Sequence, residues 1–580
     1  MMINKTHIQI SLPSSKSYNE SPVDLGQALV ECQQITQLIF ENRLNEALRR
    51  TKEQENRSLY HSLCHSSISF MQAGMTFNQD DIEATIQALR HTTAMAKKSE
   101  SYRSWISFSL TGKAAMTECK FNELHAKLVY AEALLIRALL TFIQDQGLFN
   151  FISGALKIKE CHDLFAKLAK NNDPSRFSST LSYEHFDSGV RMGNGAFNLM
   201  IANLPQRIIR YLEFAGFSGD KDFGLNELEK SATSKGLRAP LAALLLLGYH
   251  AYVAHIFGNG DGDLDKAHSL VEQYLKSSPT SYLFLVFRAR LQTLHCRLNE
   301  AIQTYKYAIQ CQSDWKNLHH IAYWEILWCH VFLREWKHAA TTAELLLKEN
   351  NWSKATSCYL LATFQFEENN TVATDEIIQL YKRVPDLKIR LAGKSIPLEK
   401  YAIKQCEHFL AQKWLFLPSL ELVYLMNGFY ILAHDHSKLQ QTLDIVNNAL
   451  KDCEVNHQDD KFYADSYGSG LLLRGVLLHF LRRYDEALQA FDQLIDISKE
   501  FDEKSLLTPN ALFEKAMVYI DIEQKQKATE YLQKSIECKD YQLESRLHFR
   551  INAAMQKTKR MENDSNKTTD SYKQRKSNET

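Results

Sequence analysis

Proline and glycine are scarce, with 10 Pro and 21 Gly in 580 residues. So few breakers exclude a many-turned β architecture and favour long uninterrupted helices. Cysteine pairing is missing as well. The 11 cysteines are an odd number, scattered from Cys32 to Cys538 without a C-x-x-C pair. That excludes a disulfide framework or a zinc ribbon, and it points to reduced thiols in a cytoplasmic protein. Net charge is absent, because 68 basic residues balance 68 acidic ones. A neutral chain has no overall electrostatic footprint for nucleic acid, so no nucleic-acid partner is expected. The first 22 residues, Met1 to Pro22, are polar. They lack the apolar run of a secretory signal and are expected to be disordered. The nearest approach to a membrane span is Leu241 to Phe257, which contains Leu244 to Leu247 but also His250 and His255. It falls short of the roughly 20 residues a span needs and reads as a buried core helix.

Catalytic and cofactor signatures are incomplete wherever they begin. Ala392-Gly393-Lys394-Ser395 looks like the end of a P-loop, but Lys388 stands where the first glycine should be, and no strand is expected before it. Asp261, Asp263, Asp265 and Glu272 mimic a calcium loop. The glycine that such a loop needs for its sharp turn is replaced by Lys266, so these acids read as helix-starting charge. Gly216-Phe217-Ser218-Gly219 is one residue too short for a nucleophile elbow and reads as a turn. His319 and His320 are adjacent, so a helix points them about 100° apart, and H-E-x-x-H is absent. No catalytic residue, metal ligand or cofactor is assigned, and the chain is not expected to be an enzyme.

What the chain does contain is a repeated phrase. Arg43-Leu44-Asn45-Glu46-Ala47 returns as Arg297-Leu298-Asn299-Glu300-Ala301, and with changes as Glu335-Trp336-Lys337-His338-Ala339 and Arg483-Tyr484-Asp485-Glu486-Ala487. Leu264-Asp265-Lys266-Ala267 and Ile82-Glu83-Ala84 are shorter copies. The Asn or Asp is expected to cap a helix, and the small Ala lets a second helix approach. Behind each Ala the apolar residues keep one helical face, as in Ala301, Ile302, Tyr305, Ala308 and Ile309. Another apolar helix precedes each copy, with Ala289 twelve residues before Ala301 and Gly475 twelve before Ala487. The anchor alanines recur after 34 residues (Ala267 to Ala301), 38 (to Ala339) and 41 (Ala487 to Ala528). The tetratricopeptide period is about 34 residues. The fold predicted is an all-α solenoid of stacked tetratricopeptide hairpins. Repeats fall near 283–316, 321–354, 468–501 and 509–542. They sit within a repeat region spanning 181–557, after a divergent helical region at 23–180. A long helix is expected from Lys120 to Asp145, loops at Asn171–Ser179, Gly258–Gly262, Asn350–Trp352 and Pro385–Pro397, and a disordered polar tail at 558–580.

Some residues are more particular than a repeat requires. They include Gly193-Asn194-Gly195-Ala196-Phe197-Asn198, Leu212-Glu213-Phe214-Ala215-Gly216-Phe217-Ser218-Gly219-Asp220 and Gly224-Leu225. Tyr323-Trp324-Glu325, Trp352-Ser353-Lys354-Ala355, Pro509-Asn510-Ala511-Leu512 and Glu544-Ser545-Arg546 follow. Together, over roughly Asp24 to Lys557, they resemble the tetratricopeptide repeat protein 39 family, closer to its A/B branch than its C branch. Its fungal relatives are the inclusion-body clearance proteins. The resemblance implies a non-catalytic scaffold or adaptor for protein partners, with roles in lipid metabolism, protein turnover, inclusion clearance or cilia.

First helices of tetratricopeptide hairpins line a concave groove. Aligning Ala301 with Ala339 places Arg290, Trp324 and Trp328 on groove positions. Trp and Arg are the commonest interface anchors, so these three are the candidate partner-binding residues, with Arg290 expected to face solvent. Packing of Trp324 and Trp328 into the core is the competing reading. Glu325 falls where carboxylate-clamping repeats place an asparagine, so a partner's C-terminal carboxylate is not expected there. The rival class is a peripheral membrane or lipid-droplet protein whose apolar helices handle lipid.

Overall fold

The structure, a computed structural model, describes residues 23–560 apart from 77, 110–112, 145–154, 178, 205–208, 211–212, 214–215, 217, 351, 392–393 and 503. The segments 1–22 and 561–580, both expected to be disordered, lie outside the described residues. So do Ala392 and Gly393.

The chain begins with α1 (Leu25–Phe40), α2 (Leu44–Gln54), α3 (Leu59–Thr76), α4 (Gln79–Ser109), α5 (Lys113–Gln144) and α6 (Ala155–Lys170). Next come α7 (Thr180–Ala202), α8 (Lys221–Ala232) and α9 (Ala239–Ile256), the last broken by a π turn at Tyr249–Val253. The middle holds α10 (Leu264–Ser277), α11 (Tyr282–Leu294), α12 (Leu298–Cys311), α13 (His319–Leu333), α14 (Trp336–Glu349), α15 (Lys354–Glu368) and α16 (Asp375–Arg383). After a short hairpin, α17 (Pro397–Gln412), α18 (Pro418–Leu425), α19 (Phe429–Leu432) and α20 (His436–Asn456) lead to the last pairs. These are α21 (Tyr463–Phe480) with α22 (Tyr484–Asp496) and α23 (Leu507–Asp521) with α24 (Lys525–Glu537). A final helix, α25, spans residues 544–560, three residues into the stretch read as tail, and Thr558 in it is buried.

One backbone turn closes five of the hairpins. Asn42, Cys296, Arg334, Arg482 and Glu523 each take a left-handed φ between 58° and 64°. Around Cys296, its N–H reaches Thr293 O at 2.8 Å and the Arg297 N–H reaches Gln292 O at 2.9 Å. The other four repeat this pair of bonds, which satisfies carbonyls left open at a helix C-terminus. The expected capping role of the Asn or Asp in the phrase is therefore corrected. The next helix starts at Arg43, Arg297, Glu335, Arg483 or Gln524, and none of these makes a side-chain cap bond. The turn sets the helix start instead. Arg297 pairs with Glu300 and Arg483 with Glu486, so the phrase's glutamate serves its own turn.

The anchor alanines behave as predicted. Ala301, Ala339, Ala487 and Ala528 are all 0% exposed near the start of second helices. Ile82-Glu83-Ala84 is a false copy: Ala84 is exposed, and α4 buries Ile82, Thr85 and Leu89 instead. One core runs from Phe40 and Leu44 through the middle hairpins to Val518. Glycines let α7 and α8 nearly touch. A Cβ on Gly195 would lie 2.8 Å from Gly224 O, and one on Gly224 2.9 Å from Gly195 O.

The apolar run Ala239–Ile256 meets the length and hydropathy of a membrane span, with 56% of it buried. Its inner side, Ala242, Ala243 and Leu246, packs with Met192, Leu199 and Leu228 of α7 and α8. A two-residue strand, Arg390–Leu391, does precede Ala392-Gly393, contrary to the sequence reading. It pairs antiparallel with Lys394–Ser395, so Lys394 sits in a strand, and the following helix starts only at Pro397. The calcium-loop acids diverge to separate tasks. Asp263 caps α10, Asp261 pairs with Lys221 and Glu272 with Arg288.

The ends of the chain are tied back onto its middle. Asn42 Nδ2 donates to Thr280 O at 2.7 Å, and Trp315 Nε1 donates to Asn45 Oδ1 at 2.9 Å. At the other end, Asn552 Nδ2 donates to Leu204 O at 2.8 Å and Gln556 Nε2 to Ala202 O at 2.9 Å.

Candidate binding surface

Arg290 lies on α11 and Glu325 on α13, the first helices of consecutive hairpins. The structure corrects the solvent-facing expectation for Arg290, which is 6% exposed. Its Nη1 contacts Glu325 Oε2 at 3.0 Å, and the guanidinium lies 4.8 Å from the Tyr252 ring centre. The π turn of α9 takes carbonyls off the α-helical ladder, and Arg290 Nε donates to one nearby oxygen, Ala251 O, at 3.2 Å. Burial alone would lower the Arg290 pKa, but Glu325 and the flanking tyrosines reverse this and raise it. The guanidinium is thus a buried, paired charge. The acidic residue read as repelling a partner carboxylate is the partner of Arg290.

Trp328 is likewise buried, at 4% exposure. It packs edge-on to Trp324 at 5.8 Å and next to Phe332 at 6.4 Å. Trp324 keeps a partly open face. Structure therefore brings the three candidates together on α11 and α13 but leaves only Trp324 reachable.

The chain itself fills this groove. The turn between α18 and α19 enters it, and Asn427 Nδ2 donates to His255 O at 2.8 Å. A Cβ on Gly428 would stand 2.6 Å from the Phe332 ring, so only glycine lets the turn lie this close. A second buried network faces the first. Arg550 of α25 pairs with Glu514 of α23 at 3.0 Å. Tyr424 Oη donates to Glu514 at 3.0 Å or to Asn510 at 2.9 Å. Between the networks, burial and then Arg290, Arg546 and Arg550 hold His255 well below the usual histidine pKa.

A cavity of about 50 Å³ lies between α17, α18 and α21, lined among others by Tyr401, His408, Glu421, Asp465 and Ser469. Glu421 accepts from Tyr401 Oη at 2.8 Å and from Ser469 Oγ. Burial pushes its carboxyl up to about 7, and the bonds from Ser469 and Tyr401 limit the rise. Sequence reasoning missed this carboxylate, Asn427, Gly428 and the Arg550–Glu514 pair. Their partners are separated by up to 172 residues, and no local pattern marks them.

Stacked helix pairs with buried anchor alanines and a shared turn define an all-helical tetratricopeptide-repeat scaffold. The chain belongs to the Iml2/Tetratricopeptide repeat protein 39 family, whose model matches residues 33–481. A general tetratricopeptide-repeat model matches residues 468–540. The chain is similar to tetratricopeptide repeat protein ttc-39B of Caenorhabditis elegans, 34% identical over 555 residues and covering 93% of each chain. Among solved structures it matches the yeast Tom70 crystal structure, with 13% identity, TM-score 0.26 and coverage of 92% of this chain and 96% of that one. It also matches a Naa15/Naa10 complex bound to HypK-THB, with 15% identity, TM-score 0.28 and coverage of 89% and 79%.

Proposed function

We propose that the scaffold is a non-catalytic adaptor of the cytoplasm that holds segments of other proteins, in lipid metabolism, protein turnover or inclusion clearance. The observation that carries this reading is the state of the inner face. Its Arg290 and Arg550 are consumed in ion pairs with Glu325 and Glu514, and a partly open tryptophan, Trp324, remains on α13. Trp324 is the anchor, Trp328 is the rigid backing behind it, and Arg290 fixes the spacing of α11 and α13. A partly exposed indole on a rigid helix offers large contact area at small entropic cost. The test is proximity labelling in cells with the wild type and Trp324→Ala, alongside thermal melts of both purified chains. A set of labelled proteins lost from a variant that melts like the wild type supports the reading. Retention of every labelled protein by Trp324→Ala overturns it.

A second reading is a peripheral membrane or lipid-droplet protein. It draws on Ala239–Ile256, whose mean hydropathy is 1.4, and on the exposed Leu241 in its first turn and Phe257 just past its end. Flotation with liposomes or lipid droplets separates the two. An adaptor stays in the soluble fraction, whereas a lipid-handling protein floats, and Leu241→Ser with Phe257→Ser would return it to the soluble fraction.

A further inference from the structure

We propose that His330, Glu335 and His338 form a binding site for a divalent transition-metal ion of the zinc type, built across the turn between α13 and α14. The ligand atoms of the three residues all lie within 4.8 Å of one another. His330 Nδ1 and Glu335 Oε2 are 2.6 Å apart, and the two imidazole rings are 5.0 Å apart and nearly parallel.

The hairpin turn explains the convergence. Arg334 takes its left-handed φ of 58°, and the Glu335 N–H then bonds to His330 O at 2.9 Å. That bond fixes residue 335 beside residue 330. Glu335 begins α14 and His338 lies three residues further on, one helical turn above it and on the same face. The site is thus assembled from two helices through a turn used in five hairpins, while the ligands occur at this one among those five. At the equivalent places, Gln292, Arg297 and Glu300 replace His330, Glu335 and His338 in the preceding hairpin.

The donor set selects the ion. Two imidazoles and one carboxylate suit zinc and its neighbours, whereas calcium and magnesium want mostly oxygen. Ligands about 2 Å from a tetrahedral zinc stand about 3.3 Å apart. The His330–Glu335 contact therefore opens slightly as the ion replaces the shared proton. Glu335 and His338 sit at the surface and can make this adjustment, while buried His330 stays fixed. Three protein ligands leave the fourth position to water, so the site is an open one facing solvent. Binding would staple α13 to α14 at their shared turn.

The test uses the full chain, freed of metal by a chelator and dialysed, titrated with zinc chloride by calorimetry. Cobalt(II) absorption reports coordination geometry, and thermal melts run with and without zinc. Because the chain has 21 histidines, variants decide where an ion binds. His338→Ala and Glu335→Gln change exposed side chains and leave the core intact. The expected result is one saturable zinc equivalent, a tetrahedral cobalt spectrum and a higher Tm with zinc. Each variant should weaken binding by about tenfold or more and lose the Tm increase. Absence of saturable binding to the wild type overturns the proposal. So does zinc affinity unchanged in both variants, which would place the ion elsewhere.

Discussion

Arg290 shows how a side chain legible by type was not legible by environment. It lies on α11, next to the α13 helix that carries Trp324 and Trp328, but it faces inward. What the sequence could not show was the covering segment, since Asn427 and Gly428 lie more than one hundred residues downstream. The consequence is energetic. Arg290→Ala should not be the mild surface change that a solvent-facing arginine would give. It would strand the Glu325 carboxylate in the core, and breaking one side of a buried pair costs about 3–5 kcal/mol. Arg290→Met with Glu325→Gln should recover most of that loss, because the uncompensated charge is gone. Urea unfolding of the single and double variants checks this; equal losses in both would mean the charge pair is not the cause. Glu421 makes a pH-dependent prediction. Its folded pKa, about 7, lies above the ordinary carboxyl value of 4.5. The folded state therefore holds the proton more tightly, and stability falls as pH rises from 4.5 to 7, then levels off above 7. Glu421→Gln keeps the shape without the charge. It should raise Tm at pH 8 by a few degrees, on the order of 1 kcal/mol or more, and change little at pH 4. A Tm gain of the same size at both pH values would locate the effect in packing rather than ionisation.

At the scale of the element, the hairpins were the legible part. The 3.6-residue stripe behind Ala301, Ala339 and Ala487 located second helices, and the long α5 was visible as an uninterrupted run. The spacing could not say why those helices begin where they do. The signal lay one residue before each phrase, at Asn42, Cys296, Arg334, Arg482 and Glu523, whose only common property is the left-handed φ. Side chains other than glycine and asparagine rarely mark that conformation, so the turn was invisible to composition. The failure at Ala84 has the opposite cause: two letters of the phrase, Glu83 and Ala84, recur there without the preceding turn. A paired substitution tests the distinction. Ala301→Leu, at a site with 0% exposure, should overpack its hairpin and cost about 1–3 kcal/mol. Ala84→Leu, on an exposed face, should leave the melt within experimental scatter. Cys296→Gly should go the other way, because an L-residue in the left-handed region costs roughly 1 kcal/mol that glycine avoids. Loss of stability in Cys296→Gly would show that the Cys296 side chain contributes more packing than the backbone gains.

At the scale of the whole molecule, the decisive property is closure. Nearest-neighbour stacking alone would let a solenoid fray from its ends, repeat by repeat. Here α25 returns to the N-terminal half. Its Arg550 enters the interior to pair with Glu514, its Asn552 and Gln556 reach Leu204 and Ala202 at the end of α7, and the Phe549 ring packs at a tilt against Phe257. Contacts between residues some 350 positions apart couple two regions that sequence patterning treats as separate. Arg550→Met measures that coupling. It removes the cation but keeps an apolar side chain of similar length, so Glu514 is left buried without its partner. The expected cost is again about 3–5 kcal/mol. The informative readout is amide exchange resolved along the chain. If α25 is a clasp, protection should fall around 202–204 and in α18–α19 as well as in 544–560, because Tyr424 shares the Glu514 network. If protection falls only in 544–560, the final helix is an appendage, the solenoid is open to fraying, and the inner face becomes reachable by partners without any rearrangement. The buried state of Trp328 follows from the first outcome, since α18 and α19 stay seated against Phe332 only while Tyr424 and Asn427 keep their partners on α23 and α9.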